Sequence, residues 1–595
     1  MILRFGPFEL DEASRVVLCA GREVALQPRV FDLLAYLVRN RGRVIGKDVL
    51  LDAIWPHVTV TDNSLQRAVS LLRTVLREGG MDGAIRNIPS KGYRFCIDDE
   101  AEVQPHIPAT TGEQAQGVRT GAQRAASAQL WTKAAALFEA ADAAGILDGA
   151  DLHQWALALQ CTGRSDAAMP VLVRAVAAHT EAGNVPPAVL DAITLSGLYF
   201  ERGQAAIAKG WLARAEDWAA EVEDAATAAL VLWMKSKVAA FDGEPDLALS
   251  LADEAYGVVR HKDAVGIEAL SLVYRGFYRL CLGDTRAGLA DQDHAATLAL
   301  SSNQLDPVMG GILYCNILWA SRMFGDWARA DQWTLGYQNF CSESGVELTG
   351  SCQLHRSEVL GVRGSLGEAL IRIEDSRLNS DAPWSIGDAN RVLGDIQSAI
   401  GNDDPALEAY DRAYSLGWCP EPGRAMLLLE RGEAEAAHAS LERSLIGKTW
   451  WTLQRRGILF AHLALVAAHT GRRDQALELI EELAGSADRW PMPSIRALTN
   501  EAQSVLAHAG GDLEAALRHL HLARQLWSSI EGRVQAVRLR LRIATMQLEC
   551  DDVRGAAAEV HAAQLVAREL GSHKLEAGSR ELQRRIETRQ TGRAA

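Results

Sequence analysis

The sequence predicts a mostly α protein, with a small α+β head over residues 1–97 and an all-α superhelical solenoid over residues 124–585. Three observations carry this. Turn residues recur about every 40 positions through the long second region, and a small residue stands five places after each. The head holds three helical apolar patterns, closed by a β-prone hairpin. Between the two, residues 98–123 are poor in large apolar side chains and rich in Pro, Gly, Thr and Gln, which reads as a linker. Residues 586–595 read as a disordered tail.

Within the head, β-like runs at Ile2–Phe5 and Val16–Leu26, turning at Ala20-Gly21, precede a helix opened by Pro28, a favoured first-turn residue. That helix, PRVFDLLAYLVRN, puts Phe31, Leu34, Leu37 and Val38 on one side. A second helix, GKDVLLDAIW, leads into the loop Pro56–Thr61. The third, DNSLQRAVSLLRTVL, has Thr61 or Asp62 as its N-cap. Its Leu65, Val69, Leu72 and Leu76 fall in an arc roughly 60° wide, which needs a core. IRNIPSKGYRFCI closes the head as two β-prone runs around Pro-Ser-Lys-Gly.

In the solenoid the turn residues are Gly163, Gly203, Gly243, Gly283, Gly325, Gly364, Gly401, Gly432, Gly471, Gly511 and Asp551. The small residues are Ala168, Ala208, Ala248, Gly288, Ala330, Ala369, Ala406, Ala437, Ala476, Ala516 and Ala556. The pattern implies a helix pair per repeat. A glycine ends the first helix in a left-handed cap, and the small residue lets the second helix pack closely against it. Stacked pairs form a right-handed superhelix with a concave face for a protein or small-molecule ligand.

Of the 595 residues, 48% are apolar and 23% charged, as in soluble folded proteins, and the formal net charge is −15. That average hides an asymmetry. Residues 1–97 hold 14 Lys and Arg against 10 Asp and Glu, a net of +4, while the remainder holds 47 against 66, a net of −19. Only the head is suited to a polyanion. Nine dispersed cysteines, with no CxxC, read as reduced thiols in a cytoplasmic protein. No signal peptide is visible at the start, and the apolar stretch near Ile458–Ala468 is too short for a bilayer and contains His462, so no membrane partner is expected.

The third head helix is the candidate interface. Opposite its apolar stripe it carries Asn63, Gln66, Arg67, Ser70, Arg73, Thr74 and Arg77, with no acidic residue among them. Exposed helix faces usually mix both signs of charge. Two helices, a third with a carboxylate-free polar face, and a hairpin describe a winged helix-turn-helix, whose third helix fits the major groove of double-stranded DNA. Arg67 and Arg73 suit guanine edges or phosphates, Asn63 and Gln66 adenine edges, and Ser70 or Thr74 either.

LQPRVFDLLAYLVRNRGRVIGKDVLLDAIW, DNSLQRAVSLLRTVL and GYRF, in this order and spacing, resemble the OmpR/PhoB-type winged-helix DNA-binding domain of bacterial response regulators. The resemblance covers residues 3–97. It implies an N-terminal sheet, a helical trio and a C-terminal wing that bind promoter DNA, often as head-to-tail homodimers. By position, Asn63, Gln66, Arg67, Ser70 and Arg73 fall on the face that meets bases and phosphates, and Pro56–Thr61 where some members touch RNA polymerase. The family often has a wing arginine before the turn glycine. Here that turn reads Pro89-Ser90-Lys91-Gly92, leaving Lys91 to supply a point charge, and Arg94 to face phosphate or support the wing. AYSLGWCPEPGRAMLLLERGEAEAAHASLERSL and GDLEAALRHLHLARQLW resemble the tetratricopeptide-like regions of large bacterial transcription regulators.

These features point to a transcription regulator with no cofactor, no metal and no enzymatic activity. The alternative is an interaction scaffold whose winged helix has become a protein-docking module, which Pro89 favours. Gly447-Lys448-Thr449 lacks the first glycine of a phosphate-binding loop, Glu442 standing in its place, and His519 and His521 point in different directions on a helix. The tryptophans Trp211, Trp218, Trp327, Trp333, Trp450, Trp451 and Trp490 suit core packing between helix pairs, or else an aromatic patch on the concave face.

Overall fold

A computed structural model describes the chain apart from residues 1, 6, 12–14, 20–21, 25, 27, 40–43, 47–49, 52–53, 55–61, 80, 82–83, 89–91, 96–111, 302–304, 347–349, 379–382, 448–449 and 595. It divides into two compact units, Met1–Gln114 and Ala115–Ala595.

The head opens with an antiparallel sheet of β1 (Ile2–Phe5), β2 (Phe8–Asp11), β3 (Val16–Cys19) and β4 (Arg22–Glu23) in sequence order. β2 was not anticipated, because FELD mixes one large aromatic with two acids. Its Phe8 and Leu10 nevertheless alternate inward and are fully buried. The helix Pro28–Arg39 follows, and then β5 (Val44–Ile45). Of the second helix, Leu50, Leu51 and Ile54 are described and helical, and Arg29 Nη1 donates to the Ile54 carbonyl at 2.6 Å. The helix Asp62–Glu78 precedes β6 (Ile85–Ile88) and β7 (Gly92–Phe95), which form a hairpin with β5 on the outer edge of β7. In the head core Phe5 stacks on Phe8, with ring centroids 5.5 Å apart, and meets Phe95 edge to face at 5.6 Å.

In the second unit helices pair as anticipated, for example Gly149–Cys161 with Ser165–Glu181 and Arg533–Glu549 with Val553–Leu570. All ten turn glycines have φ between +71° and +109°, and Asp551 has φ +63°. Each turn closes with the amide after it bonded to a carbonyl five residues back, as in Arg164 to Leu159 at 2.8 Å and Asp512 to Ala507 at 2.9 Å. The ten alanines five places on are all fully buried. At the one glycine in that series, Gly288, an added Cβ would lie 2.8 Å from the Gly276 carbonyl oxygen. The two helices approach too closely there even for alanine.

The pairs coil until one superhelical turn meets the next. Trp131 Nε1 donates to the Ser344 carbonyl at 2.7 Å, Ser494 Oγ to Gly325 at 2.7 Å and Ser572 Oγ to Ala399 at 2.6 Å. Separations of 169 to 213 residues correspond to about four or five 40-residue pairs per turn. The first helix of each pair lines the inside. Pro307–Phe324 accordingly buries residues all round, whereas second helices such as Leu513–Ser529 bury a stripe.

Two expected boundaries differ. The helix Gly112–Ser127 occupies much of the stretch read as a linker, with Ala115, Ala122, Ala125 and Ala126 as its buried face. Its lack of large apolar residues reflects a thin alanine seam rather than a loop. Residues 98–111 lie outside the described ones. The final helix runs His573–Ala594 through the region read as a tail, anchored by Leu575, Leu582 and Ile586.

Two measurements test this fold. Gly471 and Gly511 have open space where a Cβ would stand, so alanine there costs only the left-handed strain. Gly511→Ala should destabilise by about 1 kcal/mol in denaturant titration. His462 sits inside the solenoid. Burial pushes its imidazole down to about 4, against a 2.8 Å bond from Nδ1 to the Ile458 carbonyl that favours the charged form; Arg538 and Arg455 lower it further and Glu501 raises it. The unfolded chain binds this proton below about 6.5 and the folded chain only near 4. Stability is therefore retained above pH 6.5 and lost as pH falls towards 4, by up to about 3 kcal/mol. Burial also lowers His469, to about 4, and His355, so His462→Gln should remove one share of that loss and make this part of a pH–stability profile shallower.

Candidate nucleic-acid interface

The Asp62–Glu78 helix is held by Leu65, Ala68, Val69, Leu72 and Leu76, each buried in the head core. This arc fixes which residues are presented outward. At about 100° per residue, Asn63, Gln66, Arg67, Ser70, Thr74 and Arg77 lie on the opposite side. Ser70, Thr74 and Arg77 are exposed, and Thr74 Oγ1 donates to the Ser70 carbonyl at 3.2 Å. For Asn63, Gln66 and Arg67 the helical backbone is described but the side chains are not.

Arg73 departs from expectation. It sits only about 40° round the helix from Val69, at the margin of the buried arc. Its guanidinium donates from Nε and Nη2 to the Ile85 carbonyl at 3.0 and 2.8 Å and lies 5.9 Å from the Tyr93 ring centroid. The side chain thus fastens the helix to the first wing strand and is turned away from the face that carries Ser70 and Thr74. Arg73→Ala should cost the head about 1.5–3 kcal/mol, the usual worth of a charged hydrogen bond, read in the thermal unfolding of the full chain.

Leu71 was not anticipated. It lies outside the apolar stripe and is 42% exposed beside Ser70. The signal was an apolar residue at a position the core does not use. In the wing, Arg94 pairs with Arg86 and Val44 in the β-ladder between buried Tyr93 and Phe95. Lys91, the rest of the Pro89–Lys91 turn and the Pro56–Thr61 loop lie outside the described residues.

The solenoid holds a second candidate site, a cavity of about 600 Å³ enclosed mainly by first helices. Trp233, Trp319, Trp384 and Trp418 line it, none of them in the clusters singled out from sequence. Of those clusters, Trp490 packs on Phe460 at 5.8 Å and Trp333 on Tyr314 at 6.2 Å, both as core. Trp211 and Trp218 are half-buried around Arg214, and Trp327 packs against the second large core cluster. The side chains of Trp450 and Trp451 are not described.

Behind this wall Trp418 Nε1 donates to Asp388 Oδ1 at 3.2 Å, within a buried network. Arg322 and Arg391 both pair with Glu358 and Asp388, and Arg391 also reaches Asp395 at 2.9 Å. Burial opposes the charge on Asp388, but Arg391 and Arg322 outweigh it and hold the carboxyl well below the usual range. Among the described residues no cluster of His, Cys, Asp or Glu is arranged to hold a metal, and no helix is long and apolar enough to cross a membrane.

Residues 21–95 match the family model "Transcriptional regulatory protein, C terminal". The chain is 28% identical over 98 residues to the transcriptional activator CadC of Escherichia coli, covering 16% of this chain and 19% of that protein. It is 37% identical over 93 residues to the phosphate regulon transcriptional regulatory protein PhoB of Rhizobium meliloti, covering 16% and 41%. The chain therefore spans less than half the length of these curated relatives. Among solved structures, the DNA-binding domain of E. coli CadC matches at 28% identity over 16% of this chain and 90% of that one, with a TM-score of 0.15. The Cut9–Hcn1 hetero-tetramer of the APC/C matches at 15% identity over 82% and 98%, with a TM-score of 0.30.

Proposed function

We propose that this chain, whose head is a transcriptional-regulator domain of the OmpR/PhoB type, binds promoter DNA and regulates transcription, with the solenoid as the part that receives a signal. The observation that carries the reading is the outer face of the Asp62–Glu78 helix. Five buried residues fix this helix with exposed Ser70, Thr74 and Arg77 outward. By helical spacing Asn63, Gln66 and Arg67 fall on the same side, and from Asn63 to Arg77 the sequence holds no acidic residue. A major groove needs that combination of donors, adaptable hydroxyls and position. Arg67 and Arg77 supply the charge, Asn63 and Gln66 suit adenine edges, and exposed Leu71 suits a thymine methyl group. Arg73 acts at one remove, by setting the wing against the helix. Lys91 and Arg94 are the wing cations for phosphate, and Pro56–Thr61 is the candidate surface for RNA polymerase.

The acidic solenoid, net −19 over residues 98–595, is unsuited to DNA and takes the other role. Its cavity of about 600 Å³ falls in the range of small-molecule sites. A ligand that changed how the solenoid coils would change how heads are presented or paired, and self-association as a dimer is one such output. Selection of genomic fragments by the purified full-length protein tests the reading. The expected result is recovery of intergenic fragments sharing a short sequence, with a footprint over it. Recovery without sequence preference would refute the regulatory role.

A further inference from the structure

The cavity in the solenoid has an unbalanced set of polar groups. Its wall is dominated by apolar and aromatic side chains, and its charged residues are Glu201, Lys237 and Asp306, with His153 beside them. Three of these four already have their needs met. The Asp306 carboxylate accepts from the Val308 and Met309 amides at 2.9 and 3.1 Å, capping the helix that follows. His153 bonds through Nδ1 to Asp191 at 2.6 Å. Glu201 is exposed and meets water; its charge reaches Tyr274 and Cys315, as that of Lys237 does, but it makes no ion pair with Lys237.

Lys237 differs. It is half-buried, and its ammonium lies 4.9 Å from the Trp233 ring centroid and 5.7 Å from that of Tyr274. It forms no ion pair with any described residue. Cation–π contact compensates only part of the lost hydration, and a half-buried ammonium calls for an anion. Of the cavity's thiols, burial pushes Cys161 and Cys315 upward and leaves them neutral at pH 7, and Cys352 is engaged with the Tyr337 hydroxyl at 2.7 Å. The cavity also communicates with solvent, because Phe241, 45% exposed, and Glu201 both belong to its lining.

We propose that this cavity binds an apolar monoanion, a carboxylate carried on an aromatic or alkyl body, with the carboxylate at Lys237 and the body against Trp233, Trp319 and Trp418. The assignment rests on the reading of the solenoid as the receiving part of a regulator. Selectivity follows from desolvation. An amine meets Lys237 as a like charge, and a neutral ester fills the apolar volume without pairing the ammonium.

Calorimetric titration of the full-length protein with decanoate and with indole-3-acetate, each beside its methyl ester, and with decylamine tests this. Saturable binding of at least one acid is expected, at least tenfold tighter than its ester or the amine. The acid that binds tells an alkyl from an aromatic ligand. Lys237→Met should erase the acid's advantage while leaving ester binding unchanged, and Lys237→Arg should retain it. Binding of neither acid, equal binding of acid and ester by the wild type, or a preference for the amine overturns the assignment. The acid–ester comparison needs no variant, so it stands even where Lys237→Met fails to fold. DNA affinity measured with and without the bound acid separates the two readings. An acid that binds without changing it preserves the site and removes its signalling role. An amine or ester that binds and does change it has the opposite meaning.

Discussion

Arg67→Ala should lower the affinity of the full-length protein for its promoter fragment by about ten- to a hundredfold, the worth of one good bidentate base or phosphate contact. Thermal unfolding should not move, because Arg67 lies opposite the buried arc of Leu65, Ala68, Val69, Leu72 and Leu76. Arg73→Ala should show the reverse order of effects. Its guanidinium holds the Ile85 carbonyl, so head stability falls first and DNA affinity follows from a loosened wing. Comparing the two by fluorescence anisotropy and calorimetry separates reading from support. If Arg67→Ala bound as tightly as the wild type, the assigned face would be wrong.

The largest stability effect is expected at Arg391. Its guanidinium is buried against Glu358, Asp388 and Asp395, and Asp388 is shared with Arg322 and the Trp418 indole. Removing it leaves Glu358 and Asp388 buried with Arg322 as their remaining guanidinium partner. Breaking one partner out of a buried ion network costs about 3–5 kcal/mol, far more than an exposed pair contributes. Arg391→Ala should shift the denaturant midpoint of the solenoid accordingly. The exposed pair Arg518–Glu514 makes the control, since Arg518→Ala should change stability by less than about 1 kcal/mol. Similar effects from both would show that the network is not a structural keystone.

The repeat was legible because a left-handed cap and a close helix crossing each demand a particular residue type at a fixed place. Ten glycines with positive φ and ten fully buried alanines bear the pattern out. Periodicity also placed the Asp62–Glu78 helix and its core face. What it placed poorly was the margin between faces. Arg73 is as basic as Arg67, and only its partner, the Ile85 carbonyl 12 residues away, reveals its different task. Composition misled at both ends of the solenoid. Gly112–Ser127 is stabilised by an alanine seam, and the last helix by three apolar residues, Leu575, Leu582 and Ile586, in a charged sequence. The cavity was out of reach altogether, since its wall gathers side chains from His153 to Trp418 that no local pattern connects.

The claim that the head reads DNA through one helix face is tested most directly by a salt series. Binding of the full-length protein to its selected fragment should be followed between 50 and 200 mM salt, beside Arg67→Ala with Arg77→Ala. For contacts to about four phosphates, the logarithm of affinity should fall with a slope near −3.6 against the logarithm of salt, and the double variant should reduce that slope by about 1 to 2. An affinity independent of salt, or a slope the double variant leaves unchanged, would contradict the account.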